Sequence, residues 1–162
     1  MMTTSQKSNI NWLYLLLFVI MTEAVGIVSS LFSGNVKQIY NSLLLPPLSP
    51  PDFIFGPVWS ILYALIGVAG YLAVSQSTNH ERPLNITLFF GQLTVNFFWS
   101  IIFFGAAAYW ISFVIIVLLD GLVIMAIAKF NRTSHLAAWL LVPYLFWILF
   151  ATYLNVGVAW LN

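Results

Sequence analysis

The chain has 162 residues, 62% of them hydrophobic and only 6% charged, with a formal net charge of +1; its mean hydropathy is +0.99. Such usage excludes an ordinary soluble domain and leaves no basic patch for nucleic acid. No cysteine is present, which removes disulfides, thiolate metal sites and cysteine nucleophiles.

A hydrocarbon core about 30 Å thick takes roughly 20 apolar residues per helix. Five runs of that kind follow one another at residues 12–32, 53–75, 84–106, 108–129 and 136–160. They are continuous and about twice the length of a β-barrel span, which alternates in polarity. The expected fold class is an all-α integral membrane protein, a five transmembrane helix bundle in a single domain over residues 1–162. The first run is too long for the apolar region of a signal peptide and no small-x-small cleavage site follows, so it is expected to be retained.

Residues 33–52 form a first loop longer than a compact connection needs. Inside it Val36, Ile39, Tyr40, Leu43 and Leu44 recur at helical spacing with Lys37, Gln38, Asn41 and Ser42 opposite, which predicts a short amphipathic helix on the bundle or membrane surface. Pro46, Pro47, Leu48, Ser49, Pro50 and Pro51 follow as a stiff, extended segment. With Leu48 among them, these prolines are the expected lid of a pocket, and Asp52 the expected cap of the next helix. Lys7, Arg82, Lys129 and Arg132 flank one side and Lys37 alone the other, so the N-terminus is expected to be cytoplasmic. His80 and His135 sit in predicted loops without a second ligand at metal spacing, so no metal site is expected.

Polar groups at bilayer depth are costly and each asks for a reason. Glu23, Gln92, Asn96, Asp120 and Asn155 are such groups. Gln92, Asn96, Trp99 and Phe103 share a face of the third run; Trp59, Tyr63, Ile66, Gly67 and Gly70 share one of the second; Tyr144, Trp147, Ala151 and Asn155 share one of the fifth, where Pro143 is expected to bend the helix. At 1.5 Å per residue Glu23, Trp59, Tyr63, Asn96, Trp99, Asp120, Trp147 and Ala151 fall in a layer roughly 9 to 20 Å below the side that bears the long loop. Facing inward, they would line one apolar, aromatic cavity suited to a large flat ligand.

Each has a structural alternative. Trp12, Trp110 and Trp160 read as interfacial anchors. Gln92 and Asn96 serve equally as hydrogen-bonding glue between helices or as ligand contacts. Gly26-x-x-x-Ser30 and Ser60-x-x-x-Ala64 read as close helix packing, and Glu23 and Asp120 as carboxylates paired with neighbouring polar groups rather than a proton relay.

Four ordered blocks carry a family resemblance: "PPLSPPDFIFGPVWSILYALIG" from Pro46, "GQLTVNFFWSIIFFG" from Gly91, "LLDGLVI" around Asp120, and "AAWLLVPYLFWILFATYLN" from Ala137. Together they resemble the TspO/MBR family of translocator proteins, the peripheral-type benzodiazepine receptors, and the chain looks like a bacterial member. The resemblance implies a membrane-embedded, often dimeric five-helix bundle with a pocket under the first loop for porphyrins, sterols and benzodiazepine-type molecules. It also implies pocket residues at Trp59, Asn96, Trp99, Trp147 and Ala151, to which the polar and aromatic faces add Tyr63, Gln92 and Tyr144. Two departures stand out. Leu48 occupies a position where relatives commonly carry tryptophan, and no basic residue follows Tyr153 to complete the sterol motif.

Three functional readings follow. The first is a tetrapyrrole-binding sensor, scavenger or regulator, a homodimer among membrane lipid, requiring no cofactor and taking protoporphyrin IX or haem as ligand. The second is an enzyme that degrades porphyrin in light, with Trp59 and Trp147 as catalytic residues. The third is a carrier of porphyrins or other apolar metabolites.

Overall fold

The computed structural model describes residues 10–162, so Lys7 lies outside the described residues. Its elements are α1 (Trp12–Phe32), α2 (Val36–Ser42), a 3-10 turn (Asp52–Ile54), α3 (Phe55–Ser75), α4 (Arg82–Ser100, continued by a π-turn at Ile101–Gly105), α5 (Tyr109–Thr133) and α6 (His135–Leu161). Five of the helices are long and apolar enough to cross a membrane, and no strand occurs among the described residues.

Local chemistry explains the boundaries. Asn11 and Asn35 cap α1 and α2 by accepting from the Tyr14 and Gln38 amides at 3.2 and 3.1 Å. Gly34, at φ 80°, makes the turn between those helices. Pro83 sits in the first turn of α4, where its missing N–H is harmless. Ser134 ends α5 in extended conformation and caps α6 through the Ala137 amide at 3.4 Å.

Large apolar side chains are exposed all around the bundle, among them Leu13, Ile20, Val114, Leu118 and Phe146. Their solvent is lipid, so the hydrophobic effect gives the helices little reason to associate or to choose a register. Close packing at small residues and polar bonds must supply both. A Cβ on Gly67 would lie 2.7 Å from the Val19 Cα, so glycine lets α1 and α3 touch backbone to backbone. The Thr22 hydroxyl meets the Tyr63 carbonyl at 2.8 Å in the same contact. Gly26 abuts the ring of Tyr63 and Gly70 that of Phe89. Farther along α1, Ser29 donates to the Phe97 carbonyl at 3.0 Å and Ser33 meets Ser100 at 2.9 Å.

Two asparagines on different helices act as junctions. Asn96 of α4 accepts from the Tyr63 hydroxyl at 3.1 Å and donates to the Tyr144 hydroxyl at 2.8 Å, joining α3, α4 and α6. Asn155 of α6 accepts from the Trp99 indole at 3.0 Å and donates to the Tyr109 carbonyl at 2.9 Å, joining α4, α5 and α6. Asp120 accepts from Thr152 through Oδ2 at 2.8 Å, the polar pairing expected, while its Oδ1 is buried without a partner. Glu23 departs from the same expectation: it makes no ion pair among the described residues and lines a cavity instead.

Candidate ligand cavity

At the end of the bundle that bears α2, the helices α1, α3, α4 and α6 enclose a cavity of about 740 Å³. That is within the roughly 300–1,000 Å³ of small-molecule sites. Trp59 stands at its centre, half-buried, with its ring 5.5 Å from Tyr63, 6.3 Å from Trp99 and 6.3 Å from Tyr144. Across the space Trp147 packs edge-on against Phe55 at 5.9 Å, and Phe55 in turn against Tyr40 of α2 at 4.8 Å. The walls are therefore aromatic faces and edges, suited to stacking on a flat ligand.

Of the residues singled out from the sequence, Trp59, Tyr63, Asn96, Trp99, Trp147 and Ala151 all line this cavity. Gln92 and Tyr144 stand one layer behind the wall. The Gln92 amide donates to the Phe89 carbonyl of its own helix at 3.1 Å. Tyr144 is fully buried and supports Asn96 from behind. The Trp147 indole N–H is buried without a partner, an unmet donor in the wall.

The cover over the cavity differs from the expectation. The lining comes from α2 and its flanks, including Asn35, Val36, Lys37 and Tyr40, whereas Pro46, Pro47, Leu48, Pro50 and Pro51 lie outside it. The proline segment is a strap that fastens α2 in place. Tyr40 donates to the Pro50 carbonyl at 2.8 Å and Tyr153 of α6 to the Pro47 carbonyl at 2.7 Å. Asn162 brackets Leu44, accepting from its amide and donating to its carbonyl at 3.0 Å each. Pro46 is buried against Gly157 of α6. At the strap's tip Leu48 is 84% exposed and takes φ 66°, a left-handed conformation that disfavours a side chain.

Asp52 stands in the first turn of the 3-10 helix, where its charge opposes the positive end as expected. Its carboxylate also accepts from Asn41 at 2.9 Å and pairs with Lys37 at 3.5 Å, so the acid ties α2 to the start of α3.

Reasoning from the sequence placed Glu23 in the cavity layer but missed the rest of the wall supplied by α1. Gly26, Ile27 and Ser30 follow Glu23 at i+3, i+4 and i+7, one helical face, and all four line the cavity. Ser60 of α3 lines it too, so Gly26-x-x-x-Ser30 and Ser60 border open space as well as packing helices. A carboxylate in step with a small-residue stripe was the available signal.

Five long apolar helices, four of them walling an aromatic cavity beneath a strapped helix, define a class, the integral multi-pass membrane proteins. Comparison with known proteins narrows it. The model of the TspO/MBR family matches residues 18–161. The chain is 39% identical over 153 residues to the Tryptophan-rich protein TspO of Archaeoglobus fulgidus, covering 94% of this chain and 99% of that one. It is 39% identical over 143 residues to the protein of the same name in Chlorobaculum tepidum, covering 86% and 89%. To the Translocator protein of Homo sapiens it is 35% identical over 124 residues, covering 75% and 73%. The chain belongs to the TspO/MBR family.

Proposed function

We propose that the protein binds a tetrapyrrole, protoporphyrin IX or haem, in the cavity beneath α2 and acts as a sensor, scavenger or regulator in the membrane. The observation that carries this reading is the ring cluster of Trp59, Tyr63 and Trp99, with Trp147 across a space of about 740 Å³. Flat aromatic ligands gain from stacked and edge-on contacts of this kind. Both histidines stand outside the cavity wall, at the loop before α4 and the start of α6, so a haem would rest on stacking rather than on an imidazole. Arg82, Lys129 and Arg132 belong to the end opposite the cavity, so the proposal places that end in the cytoplasm and the cavity mouth on the far side. The homodimer is part of the same proposal, and cross-linking in nanodiscs tests it.

A second reading, light-dependent porphyrin degradation, is favoured by one feature: Trp59 and Trp99, 6.3 Å apart, are oxidisable rings within reach of any ligand stacked on either. One experiment tests both. Protoporphyrin IX is titrated into the protein in nanodiscs, with tryptophan quenching followed in darkness and then in light, beside Trp59→Phe and Trp147→Phe. Saturable binding that is weakened in both variants and stable in light supports the binding protein. Protein-dependent bleaching to a new product, lost in the variants, establishes the enzyme. No saturable quenching refutes both.

A further inference from the structure

Glu23 is the unexplained group in the cavity. It sits nine residues before the end of α1, about 14 Å down the helix at 1.5 Å per residue, in the same wall as Gly26 and Ser30. The other ionisable side chains of the wall are already engaged. Lys37 of α2 and Asp52 of the 3-10 turn pair with each other at the mouth, Tyr40 of α2 donates to Pro50, and Tyr63 of α3 donates to Asn96. What α4 and α6 add to the wall, Asn96, Trp99, Ser100, Phe104, Trp147 and Ala151, does not titrate. Glu23 therefore faces the cavity as a half-buried carboxyl with no ion-pair partner among the described residues.

A carboxylate in a wet cavity is hydrated; a ligand that fills the cavity strips that hydration. Unless the ligand returns a hydrogen bond or a charge, the carboxylate must take up a proton or oppose binding. We propose that the cavity selects ligands that present an N–H donor, best of all a protonated amine, to Glu23 at their inner end, and that donor-free apolar ligands bind only together with a proton. This deepens the proposed function, since it rests on the same cavity being a ligand site. For a tetrapyrrole, whose inner edge carries no N–H, the rule sets orientation through charge: propionates face outward to Lys37, away from the like charge of Glu23, and the apolar inner edge binds together with a proton on Glu23.

A fully enclosed site built to receive an N–H rejects the analogue lacking it by about 10⁴–10⁵. Half-exposure of Glu23 reduces the expected discrimination to about 10–100-fold. The test uses two flat probes of matched size, 1-pyrenemethylamine and 1-methylpyrene, titrated against wild type and Glu23→Gln in zwitterionic nanodiscs and read by energy transfer from tryptophan between pH 5 and 8. Expected for wild type is tighter binding of the amine, weakening as pH falls because protonation of Glu23 removes its partner. Methylpyrene is expected to tighten over the same fall. In Glu23→Gln the amine should lose about 10-fold or more, methylpyrene should bind at least as well as to wild type, and both pH slopes should flatten. Equal affinity of the amine for the two proteins, like pH slopes for the two probes, or no saturable binding of either, overturns the proposal. Protoporphyrin IX is titrated separately: if the amine binds through Glu23 and the porphyrin does not bind, the tetrapyrrole reading fails while this one stands, and the reverse result separates them the other way.

Discussion

Gly157→Ala is the sharpest perturbation of the strap. A Cβ at that position would lie 2.6 Å from the Pro46 Cβ and Cγ, and real Cβ contacts essentially never fall below 3.0 Å. Pro46 is a rigid ring and Gly157 lies within α6, so the relief must come from the strap moving off the helix. Two terms oppose each other. Alanine favours the α6 helix over glycine by about 1 kcal/mol, while overpacking of a fitted contact costs about 1–3 kcal/mol. They act on different parts of the molecule: the bundle should hold or gain stability while docking of the strap and α2 weakens. At 1.4 kcal/mol per factor of ten, amides of α2 should exchange with deuterium roughly 5- to 100-fold faster, with α5 and the rest of α6 unchanged. Hydrogen exchange resolved to the 36–44 region reads this without reference to any ligand. Unchanged exchange there, or a loss of protection spread over all helices, would refute the strap as the element that holds α2.

Asn96→Leu should be among the more damaging changes in the membrane interior. It deprives the buried Tyr63 hydroxyl of its acceptor and removes the donor to Tyr144. Each stranded buried group costs about 1–3 kcal/mol, so denaturation in mixed micelles should register a loss of about 2–6 kcal/mol for the two together; a loss no larger than for a lipid-facing Leu118→Ala control would count against the junction. At the opposite end of the bundle the turn before α4 is sensitive to acid. The Thr78 hydroxyl, followed by the Thr78 backbone amide, holds the Glu81 carboxyl below its ordinary value of 4.5. A carboxyl lowered in the folded state adds stability that is complete above its unfolded value and fades as pH falls through the folded one. Protection of amides near 78–82, measured against their intrinsic exchange rates, should therefore fall below about pH 4.5, and Thr78→Ala, which removes the hydroxyl but keeps the backbone amide, should weaken that dependence; an unaltered pH profile in the variant would sink the assignment.

Helix limits and the aromatic wall could be read early because both rest on local rules. Continuous apolar runs of helix length place the five long helices, and helical spacing puts Trp59 with Tyr63 and Asn96 with Trp99. Gln92 and Tyr144 show where such spacing stops being informative: a polar stripe spans a wide arc, and whether a member meets empty space or a neighbouring helix depends on how the helices are rotated against one another. Asp52 marks a different limit. Its place at the helix start was local and legible, whereas its side-chain partners, Lys37 and Asn41, come from an earlier element brought near only by the strap. The α1 wall was hidden because Gly26 and Ser30 resemble packing residues, which Gly26 also is, against Tyr63.

The two asparagine junctions bear on how the molecule assembles. Leucine-rich faces slide past one another in lipid with little change in energy, so a helix inserted at the wrong depth would find nothing wrong with its surroundings. Asn96 and Trp99 make α4 an exception, because a displacement by one turn, about 5.4 Å, would part Asn96 from both tyrosines and Trp99 from Asn155 at a single stroke. Depth is thereby proof-read by a handful of amide and phenol groups. The residues that frame the cavity are the same ones that verify the bundle has closed in its proper alignment.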